Sequence, residues 1–219
     1  MSEPYVLETR SLVKEFKGFV AVDDVNLKIQ KGHIHALIGP NGAGKTTVFN
    51  LLTKFLTPTR GQILFNGEDI TSMKSAAIAR KGVVRSFQIS AVFPHMTALE
   101  NIRVALQSFE DNSFSFWKSG SSLNKLNQRC MELLDSVGLA EYANTTTVEL
   151  AYGRKRALEL ATTLAMEPEL LLLDEPTQGM GAEDVDRVVE LVRKAAQGRT
   201  VLMVEHNLSV VSKLCDRIT

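Results

Sequence analysis

Cysteine is scarce in this chain, since Cys130 and Cys215 are the only two among 219 residues. Two cysteines this far apart cannot build the framework of a small disulfide-rich protein, and they match no zinc-binding spacing. They fit buried free thiols in a reducing cytoplasm better than a disulfide or a metal site.

Long apolar runs and a bias of charge are also missing. No stretch approaches the roughly 20 apolar residues that a membrane-spanning helix needs. The first four residues, Met-Ser-Glu-Pro, lack the basic and then apolar pattern of a secretory signal. The 25 Lys and Arg residues balance 25 Asp and Glu residues, so net charge gives no indication of nucleic acid or an anionic membrane. Any role at a membrane would therefore depend on a partner.

A phosphate-binding pattern is the clearest feature that is present. Residues 39–47 read Gly-Pro-Asn-Gly-Ala-Gly-Lys-Thr-Thr and fit G-x-x-x-x-G-K-[ST]. Glycines let backbone N–H groups turn inward, and the N-terminus of a following helix adds the positive end of its dipole. Lys45 can reach the β- and γ-phosphates, and the Thr46 hydroxyl can bind Mg²⁺. A glycine-rich turn before a helix is the alternative, but the flanking strand and helix patterns favour a nucleoside triphosphate site.

Apolar patterning around this loop predicts an α/β core. Residues 5–13 and 26–30 alternate like half-buried strands, and residues 16–20 between them have the composition of a loop. Residues 170–173 are fully apolar, as expected of a strand buried on both faces of a parallel sheet. Residues 200–204 predict a further apolar strand of the same core.

The middle of the chain has a different, helical character. Thr97-Ala98-Leu99-Glu100 fits a capping box, which predicts the start of a helix. Residues 107–122 have loop composition, and helical periodicity then returns. We interpret residues 90–165 as an all-helical insertion into the α/β core.

Four polar residues at three predicted strand ends bear on the phosphate site. Asp174 and Glu175 follow the apolar strand, and open α/β sheets bind ligands at the carboxyl ends of their strands. Asp174 suits Mg²⁺, and Glu175 suits polarising an attacking water. Gln88 could contact Mg²⁺ or water, and a neutral His206 could donate to a γ-phosphate oxygen. Taken singly, each could be an ordinary surface or structural residue, so the hypothesis depends on their combination.

With these motifs in this order, the chain resembles an ATP-binding-cassette (ABC) ATPase subunit over essentially its whole length. Residues 39–47 match the Walker A motif and residues 170–175 the Walker B motif. Gln88 matches the Q-loop, and His206 matches the switch histidine. The resemblance implies an α/β fold with a RecA-like P-loop NTPase core, an N-terminal antiparallel β region and an inserted helical subdomain. The expected division is a single nucleotide-binding domain over 1–219, with its core at 1–89 and 166–219 and its helical subdomain at 90–165.

The resemblance also implies roles for individual residues, with ATP and Mg²⁺ as cofactors. The residues that would act in catalysis are Lys45, Gln88, Glu175 and His206. Those that would hold Mg²⁺ are Thr46, Gln88 and Asp174. Those that would contact the nucleotide are Phe16, Asn41, Gly42, Ala43, Gly44, Lys45, Thr46, Thr47, Ala151, Tyr152 and Gly153. Phe16 falls where the family stacks an aromatic ring on adenine, although an ordinary aromatic at the edge of the core is the alternative.

The family signature is altered in this chain. Residues 150–154 read Leu-Ala-Tyr-Gly-Arg, where the common form is Leu-Ser-Gly-Gly-Gln. Ala151 replaces the serine that contacts the γ-phosphate bound by the opposite subunit, but Gly153 and the helix N-terminus can still supply N–H donors. Gly181 stands where the family usually has Asp. The Ala-Tyr-Gly form, with Arg-Ser-Phe-Gln at 85–88, resembles the ATPase subunits of branched-chain amino-acid importers and related amide or urea importers.

The partners implied by this resemblance are specific. Two ATPase subunits, identical or different, would meet head to tail, with each ATP between one P-loop and the opposite signature. They would lie at the cytoplasmic face of the cell membrane and move two permease subunits, served by a periplasmic or extracellular solute-binding protein. We expect the permease to dock on residues 88–101, which include the apolar Phe93 and Met96, with a buried joint of the subdomain as the alternative. Members of this subfamily usually continue beyond a segment like 212–219, so further elements are expected after it.

Other classes explain fewer of these features. An ABC exporter would carry the same motifs. A soluble P-loop kinase would need an acceptor pocket and an arginine-rich lid, and would leave Gln88, His206 and the signature unexplained. An ABC-type ATPase of DNA repair or translation would carry a coiled-coil insertion or a second cassette, and the neutral charge argues against nucleic acid. His33 and His35 share a strand face, but without an evident third ligand they do not indicate a metal site.

Overall fold

A computed structural model describes residues 5–86, 92–109 and 120–219. The chain divides into two compact units. Unit 1 consists of Met1–Arg85, Pro168–Gln178 and Ala196–Thr219, and unit 2 of Ser86–Glu167 and Gly179–Ala195. The expected boundaries of the helical subdomain, residues 90–165, stay a prediction.

Strands predominate in unit 1. The strands are β1 (Tyr5–Phe16), β2 (Phe19–Val25), β3 (Lys28–Gln30), β4 (Ile34–Leu37), β5 (Arg60–Phe65), β6 (Glu68–Asp69), β7 (Val83–Ser86), β8 (Leu170–Asp174), β9 (Thr200–Val204) and β10 (Arg217–Ile218). The helices of this unit are α1 (Lys45–Leu52), α2 (Ser75–Arg80) and, near the end of the chain, the helix over Leu208–Leu214. One sheet is antiparallel, with the order β2-β1-β5-β6 and with β3 also paired to β1. The α/β class and the antiparallel N-terminal region are confirmed.

The hairpin of β1 and β2 corrects the loop that was expected over residues 16–20. Phe16 pairs directly with Phe19, and only Lys17 and Gly18 lie in the turn. Both turn residues have positive φ, 45° and 91°, which a two-residue hairpin turn twisted like its strands requires. The glycine signal therefore marks a tight turn, and pairing with β1 makes the following residues a strand.

The second sheet of unit 1 has the order β10-β4-β9-β8-β7. β4 pairs in parallel with β10 on one side and with β9 on the other, and β9 also pairs in parallel with β8. Every residue of β8 and β9 is buried, as predicted for strands covered on both faces. Leu37 of β4 lies opposite Val204 of β9, which lies opposite Asp174 of β8. Residues that follow these three strands therefore emerge at one edge of the sheet.

Helix α1 packs into the core of unit 1. Its residues Phe49, Leu51 and Leu52 have no exposed surface. They belong to one hydrophobic cluster with residues of both sheets, among them Ile63 of β5 and Leu202 of β9. Because this cluster holds α1, it also fixes the loop that enters the helix from β4.

Helices predominate among the described residues of unit 2. Its helices are α3 (Ala98–Phe109), α4 (Gly120–Ser136), α5 (Tyr152–Leu164) and α6 (Ala182–Ala195). We number the last helix of unit 1, Leu208–Leu214, α7. The capping box before α3 is confirmed, since Thr97 Oγ1 accepts from Glu100 N–H at 3.2 Å and Glu100 Oε2 accepts from Thr97 N–H at 2.8 Å. The loop expected over 107–122 was wrong at both ends, because α3 continues to residue 109 and α4 begins at residue 120.

Two further observations concern residues that the sequence singled out. Cys130 is buried, Cys215 is half-buried, and both are free thiols. His35 is buried and its Nε2 lies 2.8 Å from Thr219 Oγ1, whereas the Nδ1 of His33 lies 3.0 Å from the Lys31 carbonyl. Within the described residues, no helix combines the length and the apolar character needed to cross a membrane.

Candidate functional site

The loop between β4 and α1 has a backbone that depends on glycine. Gly44, which caps the N-terminus of α1, has φ 87°. A Cβ atom built on Gly44 would lie 2.4 Å from the carbonyl oxygen of Ala21, closer than any side chain can approach. Glycine is thus required here both by the left-handed backbone and by the close approach of β2.

Lys45 is the only cation that this loop sequence carries, and its ammonium lies inside the loop. The residue is 8% exposed, and its Nζ donates to the carbonyls of Gly39 and Pro40, both at 2.8 Å. The remaining loop residues that were predicted to contact nucleotide are at least partly exposed; these are Asn41, Gly42, Ala43, Gly44, Thr46 and Thr47. A buried ammonium surrounded by accessible backbone at a helix N-terminus can bind a multiply charged anion.

Glu175 and His206 meet at the edge of the parallel sheet. The Nε2 atom of His206 and the Oε1 atom of Glu175 lie 2.6 Å apart. The Glu175 side chain is 16% exposed and that of His206 is 41% exposed. The pairing of β8 with β9 produces this contact, since each residue follows the end of its strand and the Glu175 N–H donates to the Val204 carbonyl at 2.9 Å.

The backbone of Glu175 is also unusual, with φ 46°. A non-glycine residue in this region costs about 1–3 kcal/mol and persists only where surrounding structure holds it. Such conformations concentrate at functional sites. The main chain of Glu175 is therefore held at a defined place, and its carboxylate shares a hydrogen bond with the His206 imidazole.

Asp174 faces a basic residue for which we predicted no role. Arg85, at the end of β7, forms an ion pair through Nη2 with Asp174 Oδ2, and it donates from Nη1 to Asn50 Oδ1 of α1 at 2.6 Å. Its guanidinium also lies 5.7 Å from the centre of the Phe49 ring. The only sequence signal for this residue was its place in the Arg-Ser-Phe-Gln motif.

Glu205 is an acid for which we predicted no role from the sequence. It is 3% exposed and accepts a hydrogen bond from the Thr177 hydroxyl. Burial raises the pKa of the Glu205 carboxyl, although the Thr177 hydrogen bond opposes the shift. This contact ties the residue before His206 to the segment that follows Glu175. A charged residue directly after an apolar strand was the available signal.

Phe16 lies at the exposed end of β1. It is 41% exposed, and Lys14 Nζ lies over its ring at 5.0 Å from the centre. Its cross-strand neighbour Phe19 is 68% exposed. The hairpin therefore offers two aromatic rings to solvent, of which the sequence analysis considered only the first.

The altered signature lies in unit 2, at the start of α5. Ala151 is the N-cap residue, and no side chain caps this helix. A Cβ on Gly153 would lie 3.5 Å from Asp184 Oδ1, an ordinary contact, so the packing of unit 2 alone does not require glycine here. Together with Tyr152, these residues line a cavity of about 740 Å³ in unit 2. Arg154 lies over the ring of Tyr142, 4.1 Å from its centre.

The structure thus brings some of the predicted residues together. Glu175 contacts His206, Lys45 lies within its loop, and Asp174 shares the strand end that leads to Glu175. Gln88 lies outside the described residues. No group of three or more potential metal-binding His, Cys, Asp or Glu side chains occurs among the residues that the structure describes.

Comparison with known proteins identifies the family. Residues 22–178 match the family model described as ABC transporter. The chain is 40% identical over 226 residues to the high-affinity branched-chain amino acid transport ATP-binding protein BraF of Pseudomonas aeruginosa, covering 100% of this chain and 88% of that protein. It is 39% identical over 225 residues to the LivG protein of Escherichia coli K12, of the same description and with the same coverage.

A solved structure shows the same fold. The crystal structure of a nucleotide-free ATP-binding cassette from an ABC transporter superposes with a TM-score of 0.85 at 29% identity, covering 98% of this chain and 86% of that one. The family model covers more than half of the chain, and the relatives align with all of it. The chain therefore belongs to the ABC transporter family, as one of its ATP-binding cassettes.

Proposed function

We propose that this cassette hydrolyses ATP to drive the import of branched-chain amino acids or related small polar solutes. The observation that carries the proposed hydrolysis is the contact of Glu175 with His206 at the sheet edge where the P-loop also begins. The solute class is supported by two relatives, at 40% and 39% identity over the whole chain, whose names specify branched-chain amino acid transport.

Phosphate binding is assigned to the loop over residues 39–47. Lys45 would exchange its two bonds to the loop carbonyls for bonds to phosphate oxygens, and the start of α1 would supply N–H donors. The oxygen ligands that Mg²⁺ prefers are present in the Thr46 hydroxyl and the Asp174 carboxylate. These residues fit Mg²⁺, which would neutralise phosphate charge when it binds together with ATP.

Glu175 is the proposed general base for the attacking water. In the structure, Glu175 Oε1 is hydrogen-bonded to His206 Nε2. The single N–H at Nε2 can make only one good hydrogen bond at a time. When His206 turns to a γ-phosphate oxygen, it releases this carboxylate oxygen to accept a proton from water. The main chain of Glu175 is restrained during this exchange, because its N–H donates to the Val204 carbonyl at 2.9 Å.

The second subunit is proposed to complete the site. Ala151 has no hydroxyl, so the donors toward the opposite γ-phosphate would be N–H groups at the start of α5, near Gly153. This head-to-tail arrangement makes ATP the bridge between two cassettes. In this proposal, residues 1–219 act as one nucleotide-binding domain with a helical subdomain over 90–165, and Gln88 is the candidate for sensing the γ-phosphate.

Phe16 is proposed to stack on adenine, and its replacement gives a direct test. We expect Phe16→Ala to weaken ATP binding by about 1–3 kcal/mol, the typical value for base–aromatic stacking. Turnover at saturating ATP should change little, because stacking acts equally on the ground state and the transition state. Fluorescence titration with an ATP analogue and steady-state kinetics would measure both effects.

Phe19→Ala is the matched control for this measurement. It removes the other exposed ring of the same hairpin and should leave ATP affinity near the wild-type value. A loss of affinity confined to Phe19→Ala would move the adenine platform to that residue. A lower kcat with unchanged KM in Phe16→Ala would contradict stacking altogether.

Docking of the permease is proposed on the apolar surface formed by Phe93, Met96 and Val148, which are 50%, 37% and 54% exposed. The Val148 N–H donates to the Pro94 carbonyl at 2.9 Å, so this side of the surface is joined to residues 92–97 through the backbone. Exposure of these side chains favours docking over a buried joint.

Asn101 holds this surface in place. It is 2% exposed, its Oδ1 accepts from the Phe93 N–H at 2.7 Å, and its Nδ2 donates to the Phe93 carbonyl at 3.1 Å and to Thr147 Oγ1 at 3.0 Å. A buried amide with these bonds fixes an otherwise irregular segment. A preformed apolar surface loses less conformational entropy of its own when a partner binds to it.

Replacing Phe93 and Met96 by Ser is expected to reduce capture of the membrane subunits while ATP binding and basal hydrolysis persist. Apolar anchors at the centre of an interface often contribute about 2 kcal/mol or more each. A pull-down from detergent-solubilised membranes, together with a thermal melt, measures the effect. Phe55→Ser, at a residue 57% exposed in unit 1, is the control for losing an exposed ring. A lower melting temperature with full capture would place these side chains in an internal joint.

The transport assignment itself is tested by reconstitution. The cassette would be purified with the membrane subunits that it captures and placed in vesicles with ATP and radiolabelled leucine, using a solute-binding protein where one co-purifies. ATP-dependent movement of leucine toward the cassette side supports the proposal, and movement in the opposite direction indicates an exporter. Phosphate transfer to a small molecule, or co-purification with nucleic acid and no membrane subunit, would exclude a transporter.

A further inference from the structure

The ion pair between Arg85 and Asp174 lies in the interior of unit 1. The Arg85 side chain is 11% exposed and that of Asp174 is 7% exposed. Charges this well buried interact strongly, because little water screens them. The guanidinium of Arg85 therefore offsets the negative charge of the Asp174 carboxylate directly.

Arg85 is held from three elements at once. Its own strand is β7, its Nη2 atom reaches Asp174 on β8, and its Nη1 donates to Asn50 of α1 at 2.6 Å. The guanidinium also lies 5.7 Å from the centre of the Phe49 ring. A planar guanidinium with two separate acceptors and an adjacent ring has a defined position, which a lysine ammonium could not reproduce.

Asp174 is also the carboxylate assigned to Mg²⁺ in the proposed function. Arg85 and a divalent cation would therefore interact with the same acid. Since the Arg85 charge cancels that of Asp174, the pair has no net negative charge to attract a free cation. ATP changes this balance, because its phosphates add several negative charges at the end of the same sheet.

We propose that Arg85 makes metal binding depend on nucleotide, by neutralising and orienting Asp174 until the phosphates arrive. This inference rests on the proposed nucleotide site and adds a positioning role for a residue outside the assigned ATP-binding motifs. Arg85 acts through Asp174 and is not itself a catalytic residue. Binding of metal and ATP is then strongly coupled, and by thermodynamic linkage each raises the affinity of the other by the same factor.

The test measures Mn²⁺ binding by electron paramagnetic resonance, in the absence and in the presence of ATP. Arg85→Met removes the charge at similar length, and we expect nucleotide-free Mn²⁺ to bind about tenfold or more tightly than in the wild type, given the size of Coulomb terms at this separation. The factor by which ATP raises Mn²⁺ affinity should fall correspondingly. Arg85→Lys is the matched control, since it keeps the charge and should keep nucleotide-free Mn²⁺ binding weak.

The effect of each substitution on folding is measured separately, by thermal melting. Breaking a buried pair by removing one partner is destabilising, so the melting temperature of Arg85→Met should fall by roughly 5–15 °C. Arg85→Gln retains an N–H donor for Asp174 and serves as the neutral variant where Arg85→Met does not fold.

The outcomes separate this inference from the proposed function. The role of Arg85 would be overturned if the wild type and a folded neutral variant bound Mn²⁺ with equal affinity in the absence of ATP. This would hold even if both proteins bound Mn²⁺ together with ATP normally. A wild-type protein that binds neither ATP nor Mn²⁺ with ATP would overturn the nucleotide site, and this inference with it. Tighter Mn²⁺ binding in the neutral variants, with weak binding in Arg85→Lys, supports both.

Discussion

ATP turnover is expected to fall about 10²–10⁴-fold in Glu175→Gln, the usual range for loss of a general base. The amide keeps the shape of the side chain and can still bond to His206, but it cannot accept a proton from water. ATP binding should persist because Lys45 and the P-loop are unchanged. Phosphate release measured at saturating ATP gives the turnover, and near-normal hydrolysis would remove Glu175 from the role of base.

Glu169→Gln is the matched control for this experiment. Glu169 precedes the other end of β8, where it pairs with Lys31 at 2.8 Å and accepts from Asn66 at 2.9 Å. The same chemical change there should leave turnover close to the wild-type rate. A comparable loss in both variants would indicate a general effect on the sheet.

Glu175→Gln should also accumulate an ATP-bound dimer, detectable by light scattering. Adding Gly153→Ala in this background should weaken the dimer without lowering ATP affinity of the monomer. Because a Cβ at residue 153 makes only an ordinary contact of 3.5 Å within unit 2, such a loss would report on the opposite subunit. A dimer of unchanged stability would separate Gly153 from the interface.

Lys45→Ala is expected to lower ATP affinity by about 10²-fold or more, since hydrogen bonds to charged groups contribute roughly 1.5–3 kcal/mol each and this ammonium can reach two phosphates. Isothermal titration with ATP measures the change. The ammonium also bonds the carbonyls of Gly39 and Pro40, so a melt should accompany the titration to detect any loosening of the loop.

Lys54→Ala provides the comparison for losing a partly buried lysine. Lys54 Nζ donates to the Thr71 carbonyl at 3.0 Å, outside the P-loop, and burial lowers its pKa to about 8. Its removal should leave ATP affinity unchanged. Unchanged affinity in Lys45→Ala as well would rule out the ammonium as a phosphate ligand.

The parts of the fold that depend on local pattern were predictable. The fully apolar run at 170–173 has no polar face to expose, so a strand covered on both sides is its stable state. The capping box at Thr97 and Glu100 is a local bonding pattern, and it formed as expected. The loop over residues 16–20 was predicted too long, because the cross-strand pairing of Phe16 with Phe19, which composition does not show, confines the turn to Lys17 and Gly18.

The candidate site was predictable in its motifs but less so in its contacts. Predicting that Glu175 and His206 follow neighbouring strands requires the strand order, which the sequence does not state. The 2.6 Å contact between them depends on that order. The ion pair of Arg85 with Asp174 and the bond of Thr177 to Glu205 join residues 89 and 28 positions apart. Long-range pairs of this kind depend on tertiary packing and leave no periodic signal in the chain.

The approach of Gly44 to the Ala21 carbonyl joins the phosphate loop to β2 through main-chain atoms alone. β2 is also the strand that pairs with the end of β1, where the proposed adenine platform Phe16 lies. In the proposed site, the distance between the phosphate loop and the strand that carries Phe16 is therefore set by main-chain contacts. We expect such a site to select a nucleotide by the distance from its base to its phosphates. Since any base can stack on a phenyl ring, we expect the site to distinguish phosphate chains of different length more sharply than one base from another.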